Sequence, residues 1–302
     1  MLWHLVKNRG CVRNSNRDKD LPLISRKSKI EGVPAPARSL PDLNRISVLS
    51  ATILLAYTLA GLIRVPVRQI STQLSGFYID IQINIQTIVS LLVVALAISG
   101  TNWLLQEYSQ ESSRFRFEHW LLPALTAWVI SIPLSHGMRG TLWWLGILLG
   151  GGILMLVLTA EYIVSDKENP YYPIAAIGLT TIAFALFFLL SISLRVAQYR
   201  LYLVIPALAI AIMLISLRTL SLKLQGQWLL IASGVCAAVI AELAAAAYYL
   251  PFSPIIYGLF LLAPAYSISG LLGALQTGKS LRSALGEFGL ILLVFWLLAW
   301  WV

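Results

Sequence analysis

Residues 172–194 read Tyr-Pro-Ile-Ala-Ala-Ile-Gly-Leu-Thr-Thr-Ile-Ala-Phe-Ala-Leu-Phe-Phe-Leu-Leu-Ser-Ile-Ser-Leu, without one charged side chain. A helix rises about 1.5 Å per residue, so this run spans a hydrocarbon core about 30 Å thick. In lipid the backbone must satisfy its own polar groups, and a run of this length does so as a helix. Eight further stretches share the pattern. The expected spans are Ile46–Ile63, Gln86–Leu105, His119–Leu134, Thr141–Val164, Tyr172–Leu194, Leu201–Leu217, Gln227–Leu250, Pro254–Leu275 and Glu287–Val302. The fold class is therefore all-α, a polytopic transmembrane helix bundle of about nine spans. The third and last are short, so eight spans with one re-entrant segment is the alternative.

Composition agrees. Hydrophobic residues make up 58% of the 302, charged residues 12%, and mean hydropathy is +0.79. A soluble domain carries about 25% charged residues, and this chain has too little polar surface to cover a core of its size. Span ends carry Trp103, Trp120, Trp143, Trp144, Tyr171, Tyr172, Trp228, Tyr248 and Tyr249. Such amphipathic rings favour the headgroup level. Pro66, Pro170, Pro173, Pro251 and Pro254 punctuate the loops.

The net charge of +9 is concentrated, which speaks against nucleic-acid binding. Residues 1–45 hold ten basic side chains, Lys7 to Arg45, against Asp18, Asp20, Glu31 and Asp42, with four prolines. A segment so poor in apolar residues cannot offset its ordering entropy, so a mostly disordered tail is expected. The apolar patch Leu2–Val6 is too short for a signal peptide, and no cleavage is expected. The transmembrane domain then occupies 46–302. With the tail in the cytoplasm and nine spans, 17 basic residues fall inside and 5 outside. The positive-inside rule then places this multi-pass cell-membrane protein with its N-terminus cytoplasmic and its C-terminus extracytoplasmic. Anionic lipid headgroups are the expected partners of the tail, and other membrane subunits are candidate partners of the bundle.

One segment breaks the helical pattern. In Tyr78-Ile79-Asp80-Ile81-Gln82-Ile83-Asn84-Ile85-Gln86, isoleucine alternates with polar residues. On a helix the polar groups would point in all directions, whereas an extended strand gathers them on one side. An extended segment across the outer mouth is expected, with a surface β-ribbon as its rival.

Chemistry-bearing residues are sparse. Glu242 is the one acid well inside an expected span, beside a small-residue stripe of Gly234, Ala238, Ala241 and Ala245 that lets a neighbouring helix approach. It should face protein or water, or be neutral. It is either a proton or substrate site, or a glutamate that hydrogen-bonds a neighbouring helix or reaches the outer interface. On the outer side, Asp80, His136, Arg139, Arg195 and Arg200, with Arg64 and Arg68 nearby, make a candidate polar cluster. Arginine forks suit an anionic headgroup or phosphate, although loop charges often only meet water. On the inner side, Glu107, Glu111, Arg114, Arg116, Glu118 and His119 read as a solvated loop with local ion pairs. Glu161, with Asp166, Lys167 and Glu168 after it, reads as a helix end. Gly146/Gly150 and Ala265/Ser269/Gly273 read as close helix packing, and Pro123, Pro133, Pro206 and Pro264 as kinks.

Absences narrow the field. All lysines lie outside the spans, which excludes a retinal Schiff base. No embedded histidine pair suits haem or copper. Cys11 and Cys236 form no zinc framework. No GxSxG, HExxH, Walker A loop or intramembrane Asp pair is present. No cofactor or metal is expected.

The phrases Gly100-Thr101-Asn102-Trp103-Leu104-Leu105, Leu142-Trp143-Trp144-Leu145-Gly146, Ala160-Glu161-Tyr162-Ile163-Val164 and Ser216-Leu217-Arg218-Thr219-Leu220 resemble an uncharacterised family of bacterial polytopic integral membrane proteins. The likeness runs through most of the membrane domain. It implies a bacterial inner membrane and no particular activity. The functional expectation is a non-enzymatic membrane component: a small-solute or lipid transporter, or a subunit of a membrane complex. The alternative is an outer-face enzyme on a lipid-linked substrate, with Asp80 as its acid.

Overall fold

The structure is a computed structural model that describes residues 43–62, 68–74, 77–83, 85–106, 118–136, 140–166, 169–224 and 229–301. The basic tail expected over 1–45 lies almost wholly outside them. Nine helices stand among the described residues: α1 Leu43–Leu62, α2 Ile85–Gln106, α3 Glu118–His136, α4 Thr141–Ser165, α5 Tyr172–Val196, α6 Leu201–Lys223, α7 Leu230–Tyr248, α8 Pro254–Gln276 and α9 Leu281–Trp301. They form a helical membrane bundle. Seven, all but α1 and α3, are long and apolar enough to cross a membrane by length and composition.

Between α1 and α2 the chain forms an antiparallel ribbon of β1, Arg68–Leu74, and β2, Phe77–Ile83. The register pairs Arg68 with Ile83, Ser71 with Asp80 and Leu74 with Phe77. The extended reading of the isoleucine alternation holds. The strand is paired, however, so the rival ribbon is what forms: a lone extended segment leaves its backbone groups unmet, whereas β1 supplies partners along all of β2.

Boundaries depart from expectation at two helices. α6 continues beyond Leu217 to Lys223, and α9 begins at Leu281 rather than Glu287. In both, a charged residue had marked the expected boundary. A helix can run past such a residue where the charge is paired or the face meets water.

The hydrophobic faces collect into two main clusters. One joins α3 to α8 through Leu122, Leu125, Leu179, Phe187, Leu190, Leu208, Ile212, Ile240 and Tyr257. The other joins α1 and α2 to α3 and α4 through Ile46, Ile53, Val93, Ala127, Ile130, Leu154 and Leu158. Thus α3 and α4 serve both. Small residues set the closest approaches. A Cβ at Gly150 would sit 2.7 Å from Ile130 Cγ2, and one at Gly151 would sit 2.6 Å from Leu54 Cδ1. The α8 stripe is likewise packed: Ala265 and Ser269 are fully buried, and Gly273 faces Leu220 and Lys223 of α6. α9 packs chiefly on α8, where Phe288 fills the space left by Gly270.

Candidate functional site

Three helix ends converge on one side of the bundle, the side from which α1 sets out. α3 begins there with Glu118 and His119, α4 approaches its end at Glu161, and α6 approaches its end at Arg218. Glu161 lies four residues before the end of α4 and Arg218 five before the end of α6, or about 6–8 Å inside each helix. The apolar sequence around them keeps both helices going. Leu158 and Val164 pack in the core on either side of Glu161, and Ile215 and Leu220 do the same around Arg218.

Both charges are buried, Glu161 at 1% exposure and Arg218 at 2%. Arg218 is the largest fully enclosed side chain among the described residues. Its Nε donates to Glu161 Oε1 at 3.0 Å, and its Nη2 donates to Oε2. This is a two-point grip that the planar guanidinium suits. His119, also buried, brings Nδ1 to 2.8 Å from the same Glu161 Oε2 and 3.2 Å from Arg218 Nη2. On the far side of the guanidinium, Nη1 donates to Ser221 Oγ at 3.5 Å and lies 3.7 Å from Glu118 Oε2. Glu118 forms the more open rim of the cluster.

His119 Nδ1 faces an acceptor and a donor at once. With a proton on Nδ1 the ring donates to Glu161. Without it the ring nitrogen accepts from Arg218. The histidine therefore has a satisfied hydrogen bond in either state, and the imidazole tautomer follows from which one forms. Among the described residues, no group of three or more His, Cys, Asp or Glu is arranged to hold a metal ion.

The residues singled out in the sequence fare differently. Glu161 is no mere helix end, because apolar residues continue past it and both Arg218 and His119 contact its carboxylate. Glu118 and His119 leave the expected solvated loop and open α3 instead. Arg218 leaves the tally of loop charges and enters the bundle. Glu107, Glu111, Arg114 and Arg116 lie outside the described residues. Glu242 sits on the exposed face of α7, so the expected buried face is not supplied by the described residues.

The outer cluster is seen in part. Asp80 lies on β2 and His136 ends α3, but their side chains are outside the described residues, as is all of Arg139. Arg200 precedes α6 and is exposed. Arg195 points its donors at backbone: Nη1 reaches Tyr248 O at 2.9 Å and Nη2 reaches Leu250 O at 3.1 Å. Its guanidinium also lies 5.2 Å from the ring centre of Tyr248 and 5.4 Å from that of Tyr257. Arg195 therefore caps the end of α7, where free carbonyls favour a cation, rather than facing outward as an anion fork. Tyr248 in turn donates to Tyr199 O at 3.0 Å, and burial raises the Tyr199 phenol above its ordinary pKa.

The missed cluster had one legible signal. Glu161 is followed by Tyr162, Ile163 and Val164 and Arg218 by Leu220 and Leu222, and both fall inside phrases that carried the family likeness. Which helix ends meet was not legible, because that depends on packing.

No curated protein and no solved structure matches this chain. A family model described as "Protein of unknown function (DUF5656)" matches residues 65–302, which takes in the ribbon, α2 to α9 and the entire charge cluster. The chain belongs to that family, whose likeness was visible in the sequence phrases around Glu161 and Arg218.

Proposed function

We propose that this membrane protein is a non-enzymatic carrier of a small solute or lipid, with His119, Glu161 and Arg218 as its proton-responsive charge switch. The observation that carries the reading is the position of His119 Nδ1 between Glu161 Oε2 and Arg218 Nη2. A static clamp needs only the Glu161–Arg218 pair, and replacing such a pair with apolar residues is often neutral or stabilising. A third ionisable group that can hold or release its proton on the same carboxylate adds a choice of states. Ionisable residues inside membrane bundles commonly mark transport pathways and proton relays. The cluster lies at the end of the bundle opposite the hairpin that carries Asp80, which favours a carrier over an enzyme acting through Asp80. The cell membrane, with the cluster on its cytoplasmic side, is the proposed location.

The test uses purified full-length protein in liposomes loaded with a pH-sensitive dye. The liposomes are challenged with a panel of cationic, anionic, zwitterionic and neutral small solutes. At least one solute class should produce a lumenal pH change, and His119→Gln should abolish it while the protein melts normally in detergent. No pH change with any solute, or an unaltered response in His119→Gln, overturns the reading.

A further inference from the structure

The ends of α6 and α8 and the start of α9 meet at an exposed edge of the bundle and bring cations together there. Lys223, the last residue of α6, lays its stem across α8 at Gly273. A Cβ built on that glycine would sit 3.0 Å from Lys223 Cδ and 3.5 Å from its Nζ. Lys279 is placed by the cap of α8. Gly278, in the left-handed region at φ +81°, donates to Leu275 O, and Lys279 N donates to Ala274 O, the paired bonds of a Schellman turn. Lys279 Nζ then lies 3.1 Å from Glu287 Oε2 on α9, with both side chains half exposed. Lys223 is within electrostatic reach of the same two groups, attracted by Glu287 and repelled by Lys279. One carboxylate thus serves two ammoniums. Arg282, exposed in the first turn of α9, adds a cation at a helix end that favours anions. Beside these cations Leu275, Leu281 and Leu285 are exposed, on helices long and apolar enough to cross a membrane.

We propose that Lys223 and Lys279, with Arg282 beside them, bind the phosphate of an anionic glycerophospholipid whose acyl chains run along the leucines of α8 and α9. The phosphate diester carries a negative charge and oxygen acceptors for both ammoniums. It therefore relieves the repulsion between the lysines that Glu287 answers only in part. A zwitterionic lipid fits less well, because its own headgroup cation already answers its phosphate. Free phosphate shares the headgroup's chemistry. The lipid is favoured because the leucines beside the cations gain an apolar cover that a soluble ion does not bring. The site shares no residue with His119, Glu161 and Arg218, and it stands whether or not the protein is a carrier.

Full-length protein in liposomes doped with phosphatidylglycerol bearing a diazirine near the glycerol end of one acyl chain tests this. Mass spectrometry of the photolabelled peptides separates this site from the basic residues of 1–45, which attract the same lipid. Segment 275–285 should label more with this probe than with the matching phosphatidylcholine probe, with the exposed Leu91 and Leu92 of α2 as the internal reference. Lys223→Gln and Lys279→Gln should each cut that preference about fivefold, the factor for one basic residue near an anionic surface. Glu287→Gln removes the competing carboxylate and should raise the preference by a similar factor. All three side chains are exposed, so the variants should melt as the natural protein does. Equal labelling of the natural sequence by the two probes overturns the proposal. So does a preference that both lysine variants leave unchanged, or one that falls in Glu287→Gln. Inorganic phosphate added at constant ionic strength should leave the labelling intact, and its loss would assign the site to the free ion and overturn the lipid.

Discussion

Arg218 holds both oxygens of the Glu161 carboxylate, and each residue lies almost wholly out of contact with solvent. The pair ties α6 to α4 across 57 residues of chain. Removing one member strands the other charge, which costs about 3–5 kcal/mol in buried pairs. Glu161→Leu and Arg218→Met alone should each lower stability by that order. The double variant should lose much less than the sum, because both desolvation costs disappear together. Denaturant unfolding in mixed micelles measures this, and additive losses would show that the two side chains are not coupled.

The contact of α1 with α2 depends on the absence of a side chain at Gly100. A Cβ there would overlap the methyl groups of Leu49, which is itself buried. Gly100→Ala should cost about 1–3 kcal/mol by overpacking. Adding Leu49→Ala should recover part of the loss by clearing the space. A stable Gly100→Ala protein would mean that α1 moves freely over α2.

Arg195 closes the end of α7 through two backbone carbonyls. Arg195→Met keeps most of the side-chain bulk and removes both donors. Hydrogen bonds to a charged group contribute about 1.5–3 kcal/mol. Amide exchange should therefore quicken in the last turn of α7 and stay unchanged around Glu161. Unchanged exchange at Tyr248–Leu250 would argue against the cap.

Topology is open to direct measurement. If the tail lies inside and all nine helices among the described residues cross, the chain ends fall on opposite sides. A reporter enzyme active only outside the cytoplasm should work when fused after Val302 and fail before Asn44. Activity at both ends, or at neither, would reject the nine-span arrangement.

Much of the fold was legible because lipid leaves few choices: a long uncharged run must be a helix, and alternating isoleucines must be extended. The same logic went astray where charge was read as a boundary. Arg218 and Glu287 both lie inside helices, the first neutralised by Glu161 and the second by Lys279 at 3.1 Å on an exposed surface. Pairing is a property of the folded chain, and no single segment displays it. The charge cluster escaped for this reason, since His119, Glu161 and Arg218 sit in three separate segments and each alone resembles an interface residue. Glu242 shows the converse: its segment stands out in the sequence, but which way it faces depends on how α6 and α8 seat α7.

The seating of α9 bears on how the molecule is made. Leu285, Leu290, Leu293, Leu297, Trp300 and Trp301 turn outward along this helix, and little besides Ala284, Phe288 and Ala299 turns inward. Both main cores and the charge cluster are built from α1 to α8 alone. Both main cores therefore close without α9, whose outward leucines and tryptophans suit a lipid-facing position. A nascent chain arrested after Gln276 should already be resistant to protease within the membrane.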